Sequence, residues 1–216
     1  MKKDDIPMAI RITGLKVGYA GTHGESGFSR EAINYTACGG EMIALIGPNG
    51  IGKSTLLRTM AGFQKSWQGN ILYHGKAISQ IPPRELSKML SFVSTESVHV
   101  ANLRVADLVA YGRFPYTGWL GRLSSSDREQ VMDALEKVGL TKFARRMVSQ
   151  LSDGERQRAL IARALTQDTP FILLDEPTAF LDVKNKYEIF HLLHQLARQN
   201  NKTIILSTHD LNIALR

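Results

Sequence analysis

The chain has 216 residues, of which 43% are hydrophobic and 22% charged, enough for one ordinary globular domain with a sizeable core and room for a subdomain. Its net charge of +7 suits nucleotides, nucleic acid, an anionic membrane surface or simply a solvated basic face, and does not choose among them. Cys38 is the only cysteine, which excludes an intrachain disulfide. Met1–Leu15 has acids after its lysines and no long apolar stretch, so it does not read as a secretory signal. The longest apolar runs, such as Phe171–Leu174, are far too short to span a bilayer, and any membrane role is expected to be peripheral.

In chain order, the alternation from Ile10 to Val17, with a slip at Gly14, predicts a strand. The Gly-, Ser- and Thr-rich Gly21–Ser29 stretch predicts a loop. A short apolar strand follows at Met42–Ile46, then a helix from near Lys53 through Met60, then a strand at Gly69–Tyr73. From Pro82 to Leu140 the pattern is mostly helical, broken at Gly112, Pro115, Gly118 and Gly121. Ser126 with Glu129 spells a capping box opening a helix that runs through Val138. The remaining elements are a helix at Arg156–Thr166, a strand at Phe171–Leu174, an amphipathic helix at Lys184–Arg198 and a strand at Thr203–Ser207. Strands joined by crossover helices at both ends predict an α/β fold with a mainly parallel sheet, and the helix-rich middle predicts an inserted subdomain.

Between the Met42–Ile46 strand and the following helix lies Gly47-Pro48-Asn49-Gly50-Ile51-Gly52-Lys53-Ser54-Thr55, which fits G-x-x-x-x-G-K-[ST]. The glycines let backbone wrap closely around phosphates, and consecutive N–H groups at a helix start supply partial positive charge. Lys53 adds a cation for the β and γ phosphates, and the Ser54 hydroxyl suits Mg²⁺. Phe171–Leu174 ends in Asp175-Glu176-Pro177, and strand tips of open α/β sheets are where ligands bind. Asp175 is placed to hold Mg²⁺ through water and Glu176 to polarise an attacking water; alternatively the acids merely mark the end of the strand.

These motifs and their order resemble the nucleotide-binding subunit of ATP-binding-cassette (ABC) transporters over nearly the whole chain. The most specific is Leu151-Ser152-Asp153-Gly154-Glu155-Arg156-Gln157, similar to the LSGGQ signature of that family; a helix start with a hydroxyl and bare N–H groups is an anion site, although Ser152 is equally an ordinary N-cap. The resemblance implies a phosphate-loop NTPase with an N-terminal antiparallel β portion, a core of residues 1–81 and 163–216, and a helical subdomain at about 82–162. It implies ATP and Mg²⁺, and a second ATPase subunit paired head to tail, with Ser152 and Gly154 reaching the γ-phosphate of the ATP that the other subunit holds. Ala179-Phe180-Leu181-Asp182 resembles the segment that signals between the paired sites, and His209 the switch histidine that meets the γ-phosphate. Tyr19 matches the aromatic that stacks on adenine, though an aromatic at a strand end often only packs.

Two positions depart from the family pattern. Aligning Leu90–Thr95 with the strand after the phosphate-loop helix puts Thr95, with Glu96 beside it, where the family has a glutamine near Mg²⁺. Asp153 stands where glycine is usual and adds negative charge near a phosphate site. The chain also stops at Arg216, soon after His209, whereas related subunits usually continue, so a shortened domain is expected.

Leu108–Tyr116, and Leu120-Gly121-Arg122 followed by Asp127-Arg128-Glu129, are similar to importers of ferric siderophores, haem and cobalamin. That implies a permease pair, an extracytoplasmic substrate-binding protein as an indirect partner, and the cytoplasmic face of a bacterial inner membrane. No nucleic-acid partner is expected. The competing readings are a soluble ABC-type ATPase acting on DNA or ribosomes, which the charge permits, and a small-molecule kinase, which would not explain Leu151–Gln157.

Overall fold

The computed structural model describes residues 8–21, 24–27, 31–94, 102–119 and 121–210. Its centre is a pair of strands whose every residue is buried: β9 (Phe171–Leu174) and β10 (Thr203–Thr208). They lie inside a parallel sheet of order β5-β10-β9-β8, with β5 (Met42–Ile46) and β8 (Leu90–Val93) at the edges. Ile204 stands against both Met42 and Ile172, and Leu90 against Phe171. Interior parallel strands are covered on both faces, so continuous apolar runs such as Phe-Ile-Leu-Leu belong there.

Because side chains alternate across a strand, each of these strands feeds two cores. Phe171, Leu173 and Ile205 pack with Ile10, Ile12, Leu57, Met60 and Tyr73. The first of those partners lie on a second, antiparallel sheet of order β4-β1-β6-β7, built from β1 (Met8–Lys16), β4 (Ile33–Cys38), β6 (Gln68–Tyr73) and β7 (Lys76–Ala77). Helix α1 (Lys53–Met60) supplies Leu57 and Met60. Where β1 and β6 cross, a Cβ on Gly69 would collide with the Gly14 carbonyl, so Gly69 is the residue that lets the strands approach. The Tyr73 hydroxyl is fully buried and donates to the Met60 carbonyl at 2.7 Å.

The other faces of the same strands, Ile172, Leu174, Ile204 and Leu206, pack under helices. These are α3 (Val105–Ala110), α4 (Ser125–Lys137), α5 (Asp153–Thr166) and α6 (Val183–Gln199). Helix α2 (Pro83–Met89) precedes β8. Thus within 82–162, the span read as helical, Leu90–Val93 is a strand of the central sheet, and α5 runs across the boundary placed at 162. Among the described residues no helix is long and apolar enough to cross a membrane.

Two local expectations change. Gly24–Gly27 (β3), inside the stretch read as loop, pairs antiparallel with Gly18–Gly21 (β2); backbone hydrogen bonding holds this ribbon, which side-chain pattern does not reveal. The cap of α4 is Ser124 with Asp127, not Ser126 with Glu129. Asp127 wins because it is buried and does two tasks. It accepts from the Ser124 backbone at 2.9 Å and hydroxyl at 2.7 Å, and from Arg113 Nε at 2.7 Å. Arg113, itself buried, also donates to the Thr166 carbonyl at 3.0 Å and stacks over Tyr116. One ion pair therefore clamps α4 to the end of α5.

The Ser124 hydroxyl and backbone N–H, and then the Arg113 guanidinium, pull the Asp127 carboxyl from its ordinary 3.8 to about 2. Its contribution is complete above the ordinary value and lost as pH falls through the folded one. Asp127→Ala, which strands a buried guanidinium, should cost about 3 kcal/mol in urea unfolding at pH 7, and the gap between variant and parent should close between pH 4 and pH 2.

Candidate nucleotide site

At the end of β5 the chain turns through Gly47–Gly52 into α1. Gly50 and Gly52 sit at φ 82° and 100°, the left-handed region that a Cβ disfavours. Gly52 occupies the N-cap with no side-chain cap, leaving the first N–H groups of α1 open to a ligand. Lys53 folds back over the loop, its Nζ donating to the carbonyls of Gly47 at 2.8 Å and Pro48 at 3.0 Å. The resulting cavity, about 320 Å³, is lined by Asn49, Gly50, Gly52, Lys53, Ser54, Thr55 and Glu176.

Strand β9 delivers the two acids. Asp175 is buried, and its N–H is held by the Val93 carbonyl of β8 at 2.8 Å. Its Oδ1 accepts from the hydroxyls of Ser54 at 2.9 Å and Ser207 at 2.7 Å. Ser207 Oγ in turn accepts the Glu176 N–H at 2.8 Å, pinning a residue whose φ of 45° places it in the left-handed region. The chain thereby turns Glu176 into the cavity. Its Oε1 lies 3.6 Å from Lys53 Nζ, and its Oε2 lies 3.5 Å from His209 Nδ1. Phosphate loop, strand-end acids and histidine are therefore one constellation.

Ser54 and Asp175 present hard oxygen donors side by side, the chemistry that Mg²⁺ takes. Among the described residues no three His, Cys, Asp or Glu side chains cluster as a metal site, so Mg²⁺ here would need phosphate oxygens and water to complete its octahedron.

Ser152, Gly154 and Asp182 are not among the residues that line this cavity. Ser152 caps α5 in a capping box: its Oγ accepts the Glu155 N–H at 3.3 Å, and Glu155 Oε2 accepts the Ser152 N–H at 2.8 Å and hydroxyl at 2.9 Å. The Ser152 backbone and hydroxyl hold the Glu155 carboxyl below its ordinary range. Asp153 points to solvent and pairs with Arg156 Nη1 at 2.9 Å on its own helix, which offsets the charge of that departure. Gly154 is packed: a Cβ there would lie 2.9 Å from Asn185 Oδ1. Asp182 caps α6, accepting the Asn185 N–H at 2.7 Å. The backbone of Tyr19 lies in β2 opposite Ser26. Thr95, with Glu96, lies outside the described residues.

Ser207 is the residue that motif reading missed. Its signal was a small hydroxyl at the end of an apolar strand, two residues before His209. Ser207→Ala would orphan the Glu176 N–H and take one donor from Asp175, and should cost about 1–3 kcal/mol in denaturant unfolding; an unchanged midpoint would mean that the bridge carries no weight.

Comparison with known proteins places the sequence and the fold. A family model described as ABC transporter matches residues 31–179. An uncharacterized ABC transporter ATP-binding protein of Methanocaldococcus jannaschii is 42% identical over 207 residues, 96% of this chain and 70% of that protein. The iron(3+)-hydroxamate import ATP-binding protein FhuC of Bacillus subtilis is 41% identical over 186 residues, 86% of this chain and 69% of that protein. The dimeric structure of a bacterial ABC transporter cassette superposes with a TM-score of 0.81 at 29% identity, covering 95% of this chain and 90% of that one. On the match of family model, sequence and fold, the chain belongs to the ABC transporter family, as an ATP-hydrolysing, ATP-binding subunit.

Proposed function

We propose that this chain hydrolyses Mg-ATP to power a membrane permease that imports an iron–siderophore, haem or cobalamin-type substrate. The observation that carries the chemistry is the placement of Glu176 between Lys53 and His209, beside the paired oxygens of Ser54 and Asp175. The import reading is supported by the name of the Bacillus subtilis relative, an iron(3+)-hydroxamate import protein.

Each residue then has a task. The backbone of Gly47, Pro48, Asn49, Gly50 and Gly52 wraps the phosphates, with Thr55 in the first turn of α1 behind them. Lys53 leaves the Gly47 and Pro48 carbonyls for the β and γ phosphates. Ser54 and Asp175 would hold Mg²⁺, which would supply neutralisation of phosphate charge; Thr95 would join its shell through water. Glu176 orients and polarises the attacking water as general base, and His209 contacts the γ-phosphate and helps to place that water. Tyr19 stacks on adenine. Catalysis of this kind is mostly positioning and electrostatics, so a cavity whose acid already lies beside Lys53 and His209 is suited to it.

The signature residues belong to a neighbouring site. Ser152 and Gly154 stand at the start of α5, away from their own cavity, and are read as closing on ATP held by a second copy paired head to tail. Asp182, capping α6, is read as lying at the junction between the two sites. The pair would sit on the cytoplasmic face of a bacterial inner membrane against the permease, with an extracytoplasmic protein delivering the substrate.

Lys53→Ala should abolish tight binding of ATP in equilibrium dialysis; unchanged affinity would remove the loop from the site. Glu176→Gln keeps shape and loses the base, so it should bind ATP yet turn over about 10²-fold or more slowly. Normal turnover by that variant would end the assignment.

A further inference from the structure

The ion pairs of this molecule differ in how far they face water. In Lys76–Glu85 the side chains are 49% and 60% exposed, whereas in Lys186–Asp210 they are 19% and 23% exposed, with Nζ 3.2 Å from Oδ2. Solvent-facing pairs contribute little; a pair shielded on both sides holds geometry better. What it holds is specific. Lys186 lies in the first turn of α6, where its N–H makes a helical hydrogen bond to the Asp182 carbonyl at 3.0 Å. Asp210 directly follows His209, and its N–H donates to Thr208 Oγ1 at 3.1 Å.

His209 is therefore flanked by two anchored residues, while its own side chain is 47% exposed and burial does not fix it. We propose that Lys186 is a positioning residue for His209: its ammonium grips the Asp210 carboxylate and sets the path of the chain that carries the imidazole to Glu176. The inference rests on the reading of His209 as the group that helps to place the attacking water. It also gives the Asp182 turn a mechanical reach. Asn185, held by Asp182, backs onto Gly154, and the adjacent Lys186 holds Asp210, so displacement of this turn is passed to the histidine.

The test is steady-state ATPase kinetics of the full-length protein carrying Lys186→Met, Asp210→Asn, both together, Lys186→Arg, or His209→Ala. Misplacing the histidine should lower kcat about 10-fold or more in Lys186→Met and in Asp210→Asn, with KM for ATP and melting temperature unchanged. The double variant should be no worse than either single one, as for two residues acting as a pair, and Lys186→Arg should retain most of the turnover. Full kcat in Lys186→Met beside a crippled His209→Ala would overturn the inference and leave the reading of His209 standing. So would a loss confined to KM, losses that multiply in the double variant, or a loss in Lys186→Met that tracks a fall in melting temperature while Asp210→Asn is silent. Full activity of His209→Ala would overturn both.

Discussion

A single buried carboxylate ties three elements of this molecule together. Asp175 is 3% exposed, and a polar group so placed is costly unless it is hydrogen-bonded. Its Oδ1 accepts from Ser54 of α1 and Ser207 of β10, while the backbone N–H of Asp175 is tied to Val93 in β8. The demand for hydrogen bonds thus fixes the depth of the phosphate-loop helix relative to the sheet, and the same Ser207 oxygen fixes the turn that aims Glu176. The site is assembled by satisfying a buried carboxyl group.

The two cores explain why that assembly is stiff. Alternate residues of β9 and β10 go to opposite faces, one under the antiparallel sheet and α1, the other under α3 to α6. Movement of either strand would disturb packing on both sides, and close-packed interiors resist this. Asp175 and Glu176 sit at the end of β9 and inherit the rigidity of the best-buried part of the chain, whereas the more exposed His209 lies just beyond β10. The start of α5 and the start of α6 are more exposed and meet through Gly154 and Asn185, a contact between two termini rather than two buried faces.

Much of this was legible in the amino-acid order because the chemistry is local. A phosphate loop is one contiguous segment, and Phe171–Leu174 announces a doubly covered strand by having no polar face. What escaped depends on partners distant in the chain. Ser124 and Ser126 each begin a serine-to-acid spacing of three, and the choice between them is made by Arg113, which buries Asp127. The β2–β3 ribbon is held by backbone, which composition does not encode. Ser207 looks like any strand-end hydroxyl until Asp175 is placed beside it, and the close fit of Gly154 depends on Asn185 on another helix.

The posture of Lys53 has a thermodynamic corollary. With its ammonium resting on the Gly47 and Pro48 carbonyls, the loop is curled around a positive charge of its own. An arriving polyphosphate finds the mould in shape and need not pay to order it, which favours capture. It must still win the ammonium from two carbonyl dipoles and from Glu176. A triphosphate, with several full negative charges, competes well against such partners, and a weakly charged solute does not. Under the proposed function the lysine would act as an internal stopper as well as a ligand, selecting by charge density before any contact with base or sugar is made.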